Sequence, residues 1–376
     1  MTERQTVITV SGAGPAGLAA ALHARLLGKP VVVYERRKDV GVRFHGDFQG
    51  LENWTSERDV LLELEALGIQ ADFDYWPFHQ VTCFDPVGKA HVFRSRRPLF
   101  YLLRRGRVTG SLDYALKQQA LHGGIDMRFG QSISQLPHGG IVTHGPQRAD
   151  VIAAGLLFDT DMEDGAWAVV NDALAPKGYG YVLVVNGKGT LASCMYADFH
   201  RERDYVSRMV AFFQQAIGLD MQTPRRFGGA GNAVIHTPAH KGDILYAGEA
   251  GGFQDALFGF GMRWAMLSGA LAAQSLANGR PGDYEHLLNQ RIRPAMQAAE
   301  VNRWIYQHLG NRGYRRVLKR HRGQDAREWL HRGYRPRRWT ALAYRLLRRH
   351  RKTTFLRLHH DCTCTVCKCQ HAPDSL

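Results

Sequence analysis

The chain has 376 residues, 44% hydrophobic and 22% charged, a globular composition with room for two domains or one large discontinuous domain. No run approaches the roughly 18 uninterrupted apolar residues of a membrane span, and "MTERQTVITVSGAG" enters a strand without a signal-peptide core, so a cytoplasmic chain, or one peripheral to a membrane, is expected. The net charge of +15 sits in residues 301–360, where 18 Arg and Lys face only Asp325 and Glu328, while residues 1–300 are close to neutral.

In chain order, "TVITV", "SGAGPAGLAAALHARLLGK" and "PVVVYERR" predict a strand, a tight turn with a helix, and a second strand. This is a βαβ unit. Gly12, Gly14 and Gly17 form GxGxxG between its first strand and helix. Gly12 allows the turn, Gly14 lets backbone approach a pyrophosphate, and Gly17, with Ala16 beside it, permits close helix–sheet packing. The helix N-terminus adds free N–H groups and positive potential. Glu35 ends the second strand, where a carboxylate accepts hydrogen bonds from ribose hydroxyls, and Arg36 adjoins it. NAD and FAD share this fingerprint.

"SERDVLLELEALGI" (56–69) has helical spacing, and "FHQVTCFDPVGKAHVF" alternates as a hairpin around "DPVGK". After "YLLRRGRVTG" come a helix, "SLDYALKQQALHG", and short strands in "IDMRFGQSI" and "ADVIAAG". Residues 158–236 read as β-rich, with a hairpin over "NGKG" and then a helix, "ERDYVSRMVAFFQQAIG". "DILYAGEAGGFQDALFGFG" (243–261) is an apolar strand running into Glu249, fenced by glycines. The helix that follows has a small-residue face suited to packing under a sheet. From residue 283 the chain is helical and arginine-rich with interleaved Trp and Tyr, hinged at "HRGYRPRRW".

Residues 248–266, "GEAGGFQDALFGFGMRWAM", resemble the GDAAG motif of flavoproteins similar to p-hydroxybenzoate hydroxylase and geranylgeranyl reductase. The resemblance spans roughly residues 5–300 and implies FAD. Gly248 and Glu249 then hold the ribityl or ribose part. Gly259, Phe260 and Gly261 bring a helix N-terminus to the flavin edge where negative charge develops on reduction. The segment from "LLRRGRVTG" resembles the family stretch that places an arginine near the flavin phosphates, with Arg105 chosen over Arg104 and Arg107, and "RADVIAAG" (148–155) resembles the strand returning under the adenine side. The implied fold class is α/β: a Rossmann-like FAD-binding domain (1–75, 99–157, 237–282), an inserted β-rich substrate domain (76–98, 158–236), a basic helical region (283–360) and a cysteine-rich tail (361–376).

Geranylgeranyl reductases carry a signature like PxxYxWxFP; "PKGYGYVLVV" keeps Pro176 and Tyr179 but places Tyr181, Leu183 and Val184 at the other positions. Where archaeal members have Cys-Gly, this chain has His45-Gly46. His45, with a pKa near neutrality in its ordinary state, is a candidate proton donor to a substrate carbanion, and Tyr179 is the second candidate catalytic residue. His45, Phe48 and Trp54 lie where the family borders the ring. Tyr75, Trp76, Phe78, Tyr179, Tyr181, Phe258 and Phe260 are expected around an apolar or flat substrate. The reading is an FAD-dependent oxidoreductase reducing a carbon–carbon double bond of an isoprenoid-like substrate by hydride transfer from flavin N5. The alternatives are an NAD(P)H-dependent aromatic hydroxylase and a flavin redox sensor or electron carrier. NADPH is a candidate donor although no second GxGxxG occurs.

Cys362, Cys364, Cys367 and Cys369 form CxCxxCxC, thiolate spacing that suits zinc or an iron–sulfur cluster, with a redox-active arm or an unstructured tail as alternatives. A cluster would make a ferredoxin-like donor natural. Cys83 and Cys194, isolated among apolar residues, read as inert buried thiols. The basic helices of 301–360 read first as a solvated face and second as a peripheral membrane contact; nucleic acid is not the expected partner.

Overall fold

The computed structural model describes residues 7–133, 135–146, 148–232, 238–350 and 356–357. The cysteine tail with its four candidate ligands lies outside them. The first third of the chain runs β1 (Ile8–Ser11), α1 (Pro15–Leu26), β2 (Val31–Glu35), β3 (Phe48–Glu52), α2 (Val60–Ala66), β4 (Tyr75–Phe78), β5 (Gln80–Phe84), β6 (Ala90–Arg94), β7 (Phe100–Arg104) and α3 (Leu112–His122). Next come β8 (Asp126–Phe129), β9 (Gly140–Val142), β10 (Arg148–Ala149), β11 (Val151–Asp159), β12 (Gly165–Val169), β13 (Tyr179–Val185), β14 (Lys188–Met195), α4 (Glu202–Ile217) and β15 (Gln222–Gly231). The last part holds β16 (His240–Lys241), β17 (Ile244–Tyr246), α5 (Met262–Ala277), α6 (Asp283–Arg291), α7 (Arg293–Arg320), α8 (Ala326–Tyr334), α9 (Arg338–His350) and β18 (Leu356–Arg357).

A six-stranded sheet has the order β16-β17-β9-β1-β2-β8 and is parallel from β17 to β8. Its valine-rich strands are covered by α1, which is buried almost throughout because α3 and α5 pack against it as well. The small-residue face of α5 meets α1, where a Cβ at Gly269 would stand 2.0 Å from the carbonyl oxygen of Ala16, and the helix also packs on β1, β3 and β9. Two helices can approach so closely only where a side chain is missing.

The second sheet has seven strands, β15-β11-β14-β13-β12-β5-β6. It includes β11, so the strand in "RADVIAAG" pairs with β14 and β15 and does not return under the adenine side. The short strand β9 lies next to β1 instead. The turn Asn186-Gly187 joins β13 to β14 with φ of +49° and +71°, the left-handed pair that a two-residue hairpin loop needs. Tyr205, Met209 and Phe213, one face of α4, cover this sheet. A third sheet, β3-β7-β4, bridges the other two. The helix expected over 56–69 begins only at Val60, because the Asp59 carboxylate caps it by accepting from the Leu61 N–H at 3.0 Å.

The arginine-rich helices are not simply a solvated face. Arg293, Arg303 and Arg327 are buried, as are Tyr314 and Tyr334. The Arg303 guanidinium lies 3.9 Å from the Tyr196 ring centre and donates to the carbonyls of Leu257 and Lys177, which ties α7 to two distant loops. Among the described residues no helix is long and apolar enough to cross a membrane.

Candidate functional site

The three sheets and α7 and α8 enclose one continuous cavity of about 1250 Å³. Its first end is the glycine turn. Gly12 has φ of +112° and a Cβ there would lie 2.7 Å from Thr143 Oγ1; a Cβ at Gly17 would lie 1.9 Å from the Gly12 carbonyl oxygen. Gly14 differs, since nothing lies within 4 Å of the Cβ it lacks. Two glycines are thus required by packing, and the third leaves a cradle open to the cavity at the N-terminus of α1. Glu35 closes the turn by accepting from the Ala13 N–H and the Arg37 N–H, both at 2.8 Å.

Gly12, Gly14, Ala16, Glu35, Arg36, His45 and Arg105 all line this cavity; Gly17 lies behind the wall. So do Tyr179, Gly248, Glu249, Gly259, Phe260 and Gly261, which approach from other parts of the chain. Gly248 has φ of +60°, and its N–H is held by Ser268 Oγ at 2.9 Å, which turns Glu249 toward the cavity. Glu249 Oε2 accepts from Arg43 Nη1 at 2.7 Å, and Arg43 also reaches the carbonyl of Ala230. Sequence reasoning missed Arg43, because its partner lies 206 positions away.

Arg105 is buried. Its Nε and Nη2 donate to the Asp113 carboxylate at 2.9 and 3.0 Å, its Nη1 to Gln49 at 3.1 Å, and its guanidinium stacks 3.9 Å from the Phe44 ring centre. In this arrangement it braces the 44–49 loop. Arg104 pairs with Asp74 instead, and Arg107 is exposed.

Beyond the glycine turns the walls become apolar. Tyr181, Phe258 and Trp54 face the cavity, as do Phe93, Leu183, Trp329 and Leu330, whereas Phe48, Tyr75, Trp76 and Phe78 are not part of its wall. Cys83 and Cys194 also line it, and burial pushes both thiols up to about 12, which keeps them protonated. Tyr179 donates its hydroxyl proton to the Phe258 carbonyl at 2.5 Å, and burial raises its pKa well above the ordinary range. His45 is exposed at the cavity's edge.

Two further polar groups in this region gave no signal in the sequence. Gln254 donates from Nε2 to Gly259 O at 3.1 Å, and its buried Oε1 has no partner among the described residues. Asp255 is buried and accepts from the Phe258 N–H at 2.7 Å, the Leu257 N–H at 3.2 Å and the Tyr334 hydroxyl at 2.9 Å; burial pushes its carboxyl up to about 6. Among the described residues no group of three or more His, Cys, Asp and Glu side chains could hold a metal ion.

The open cradle at Gly14 and the backbone-held Glu35 at the N-terminus of α1 fit a dinucleotide. The model for NAD(P)-binding Rossmann-like domains matches residues 10–50. No curated protein sequence matches the chain. Among solved structures, a geranylgeranyl bacteriochlorophyll reductase-like protein from Thermoplasma acidophilum is similar with a TM-score of 0.68 and 17% identity, over 90% of this chain and 94% of that one. The flavin-dependent brominase Bmp2 is similar with a TM-score of 0.63 and 14% identity, over 92% of this chain and 99% of that one. A probable FAD-dependent monooxygenase from Pseudomonas aeruginosa follows at 0.60 and 14% identity, over 84% of this chain and all of that one. The chain shares their fold across nearly its whole length.

Proposed function

We propose that the protein is an FAD-dependent oxidoreductase that reduces a carbon–carbon double bond of an apolar, isoprenoid-like substrate. The observation that carries this reading is the continuity of the cavity, which runs from the open cradle at Gly14 to a chamber walled by Tyr181, Leu183 and Trp329. When bound, the flavin would supply the hydride. The glycine turn, Glu35 and Glu249 would hold its ADP and ribityl parts, and the apolar walls would exclude water from the reacting carbons.

Arg43 pairs with Glu249 and would hold its carboxylate in place beside the bound cofactor. Proton delivery falls to His45, which borders the cavity and is exposed to solvent. Tyr179 has its proton engaged by the Phe258 carbonyl, so its role is to hold the 258–261 turn in place. NADPH is the proposed donor, with a ferredoxin-like donor as the alternative if the cysteine tail carries an iron–sulfur centre.

The test is an anaerobic titration of the purified, flavin-loaded protein with NADPH, followed by addition of an isoprenoid alkene. Bleaching of the flavin bands, their return on adding the alkene and recovery of the saturated product are expected. Reoxidation that requires oxygen and yields a hydroxylated aromatic product would replace the reductase reading with the monooxygenase one. Reduction by no small molecule would point to the electron carrier.

A further inference from the structure

Two apolar residues of α7 form part of the cavity wall. Ile305 and Leu309 both line it and reach solvent, and Trp304 beside them is 46% exposed. Helix α9 packs on α7, and its inner face, with Tyr344 buried, belongs to the same apolar cluster as Met296 and Val301 of α7. Trp304 and Ile305 follow Val301 at i+3 and i+4, so the face of α7 near α9 continues to the cavity wall. The outer face of α9 should be polar if it met only water. It instead presents Trp339, Leu342 and Leu346, at i, i+3 and i+7, and Leu342 and Leu346 are 60% and 51% exposed.

Arginines flank this stripe. Arg337, Arg338, Arg345 and Arg348 are exposed, and no Asp or Glu occurs between Glu328 and Asp361. An apolar stripe bordered by guanidinium groups, with tryptophan at its end, matches the boundary between acyl chains and anionic headgroups.

We propose that α7 and α9 form a docking face for an anionic phospholipid bilayer, which brings the partly exposed cavity-wall residues Ile305 and Leu309 against the lipid from which an apolar substrate enters. The proposal rests on the reading of the cavity as an apolar-substrate site. It explains why apolar side chains are exposed on the one region that carries the excess positive charge. Neither feature is needed to fold α9, whose packing is supplied by Tyr344, Ala343 and Leu347.

The experiment is cosedimentation of the full chain with vesicles of phosphatidylcholine alone and with vesicles of an equimolar mixture of phosphatidylcholine and phosphatidylglycerol. Binding to the mixed vesicles is expected to be at least tenfold tighter and to weaken as salt rises. A variant combining Trp339→Ser, Leu342→Ser and Leu346→Ser should lose at least tenfold in binding at an unchanged melting temperature, and one combining Arg338→Glu and Arg345→Glu should lose as much. Equal binding to both vesicles, or wild-type binding by both variants, overturns the proposal. So does a wild type that elutes as a dimer while the serine variant elutes as a monomer, because a second copy would then be the occupant. Binding gained only after deletion of residues 358–376 also overturns it, by assigning the face to the chain's own tail. Sedimentation needs neither substrate nor turnover, so failure here leaves the reductase assay intact, and failure of that assay leaves vesicle binding unexplained by substrate chemistry but still measured.

Discussion

Three glycines in one motif do two different jobs here, and the structure separates them. At Gly12 and Gly17 an added Cβ would strike Thr143 or the Gly12 carbonyl, so those positions belong to folding. At Gly14 it would enter open space, so folding does not require a glycine there. Gly14→Val is therefore expected to leave the melting temperature of the flavin-free protein unchanged while weakening FAD binding at least tenfold, about 1.4 kcal/mol. Flavin fluorescence quenching beside a thermal melt checks both halves. The motif was legible as a motif, because its strand, turn and helix context is local. Which glycine faces the cavity was not, since Thr143 closes on Gly12 from just past the end of β9, more than a hundred residues away. Arg43 and Glu249 present the same difficulty. Glu249 stood out among its glycines, whereas Arg43 is one arginine of many until the fold brings the two together.

At the scale of elements, the helix pair α1 and α5 carries the site. Each opens at a glycine-rich turn, and their contact through Ala16 and Gly269 fixes the distance between those turns. Gly269→Ala would place a methyl group 2.0 Å from a backbone oxygen, which neither helix can relieve by moving a side chain. A loss of about 1 to 3 kcal/mol is expected, the usual range for overpacking, seen as a lowered midpoint in urea unfolding. Gly282→Ala, where nothing lies within 4 Å, should leave the midpoint unchanged. The two helices and the hairpin over Asn186-Gly187 were readable from periodicity and turn chemistry. The partner of α5 was not, because a small-residue face fits a helix as well as a sheet. The placement of β11 failed for a similar reason: an apolar strand suits either sheet, and its pairing with β14 and β15 is a non-local choice.

At the scale of the whole molecule, the C-terminal helices complete the cavity, and the Tyr334 hydroxyl of α8 on Asp255 is one of the bonds that hold them. Burial raises the Asp255 pKa from 3.8 to about 6, so the folded state binds this proton more tightly than the unfolded chain does. The associated stabilisation is complete below about pH 4 and is lost as pH rises through about 6, on the order of 3 kcal/mol for the full change. Asp255→Asn should flatten the fall in stability over that interval, measured by urea unfolding at a series of pH values. An undiminished slope would assign it to another group. The sequence by itself determined the nucleotide-binding βαβ unit, the second glycine-fenced carboxylate, the β-rich middle and the basic helical end, because turns, periodicity and charge are local properties. Only the tertiary structure decided that the basic helices roof the cavity, that Arg43 answers Glu249 and that Asp255 is buried under Tyr334. Each of these depends on which surfaces exclude water together, and burial between distant segments is a property of the packed molecule.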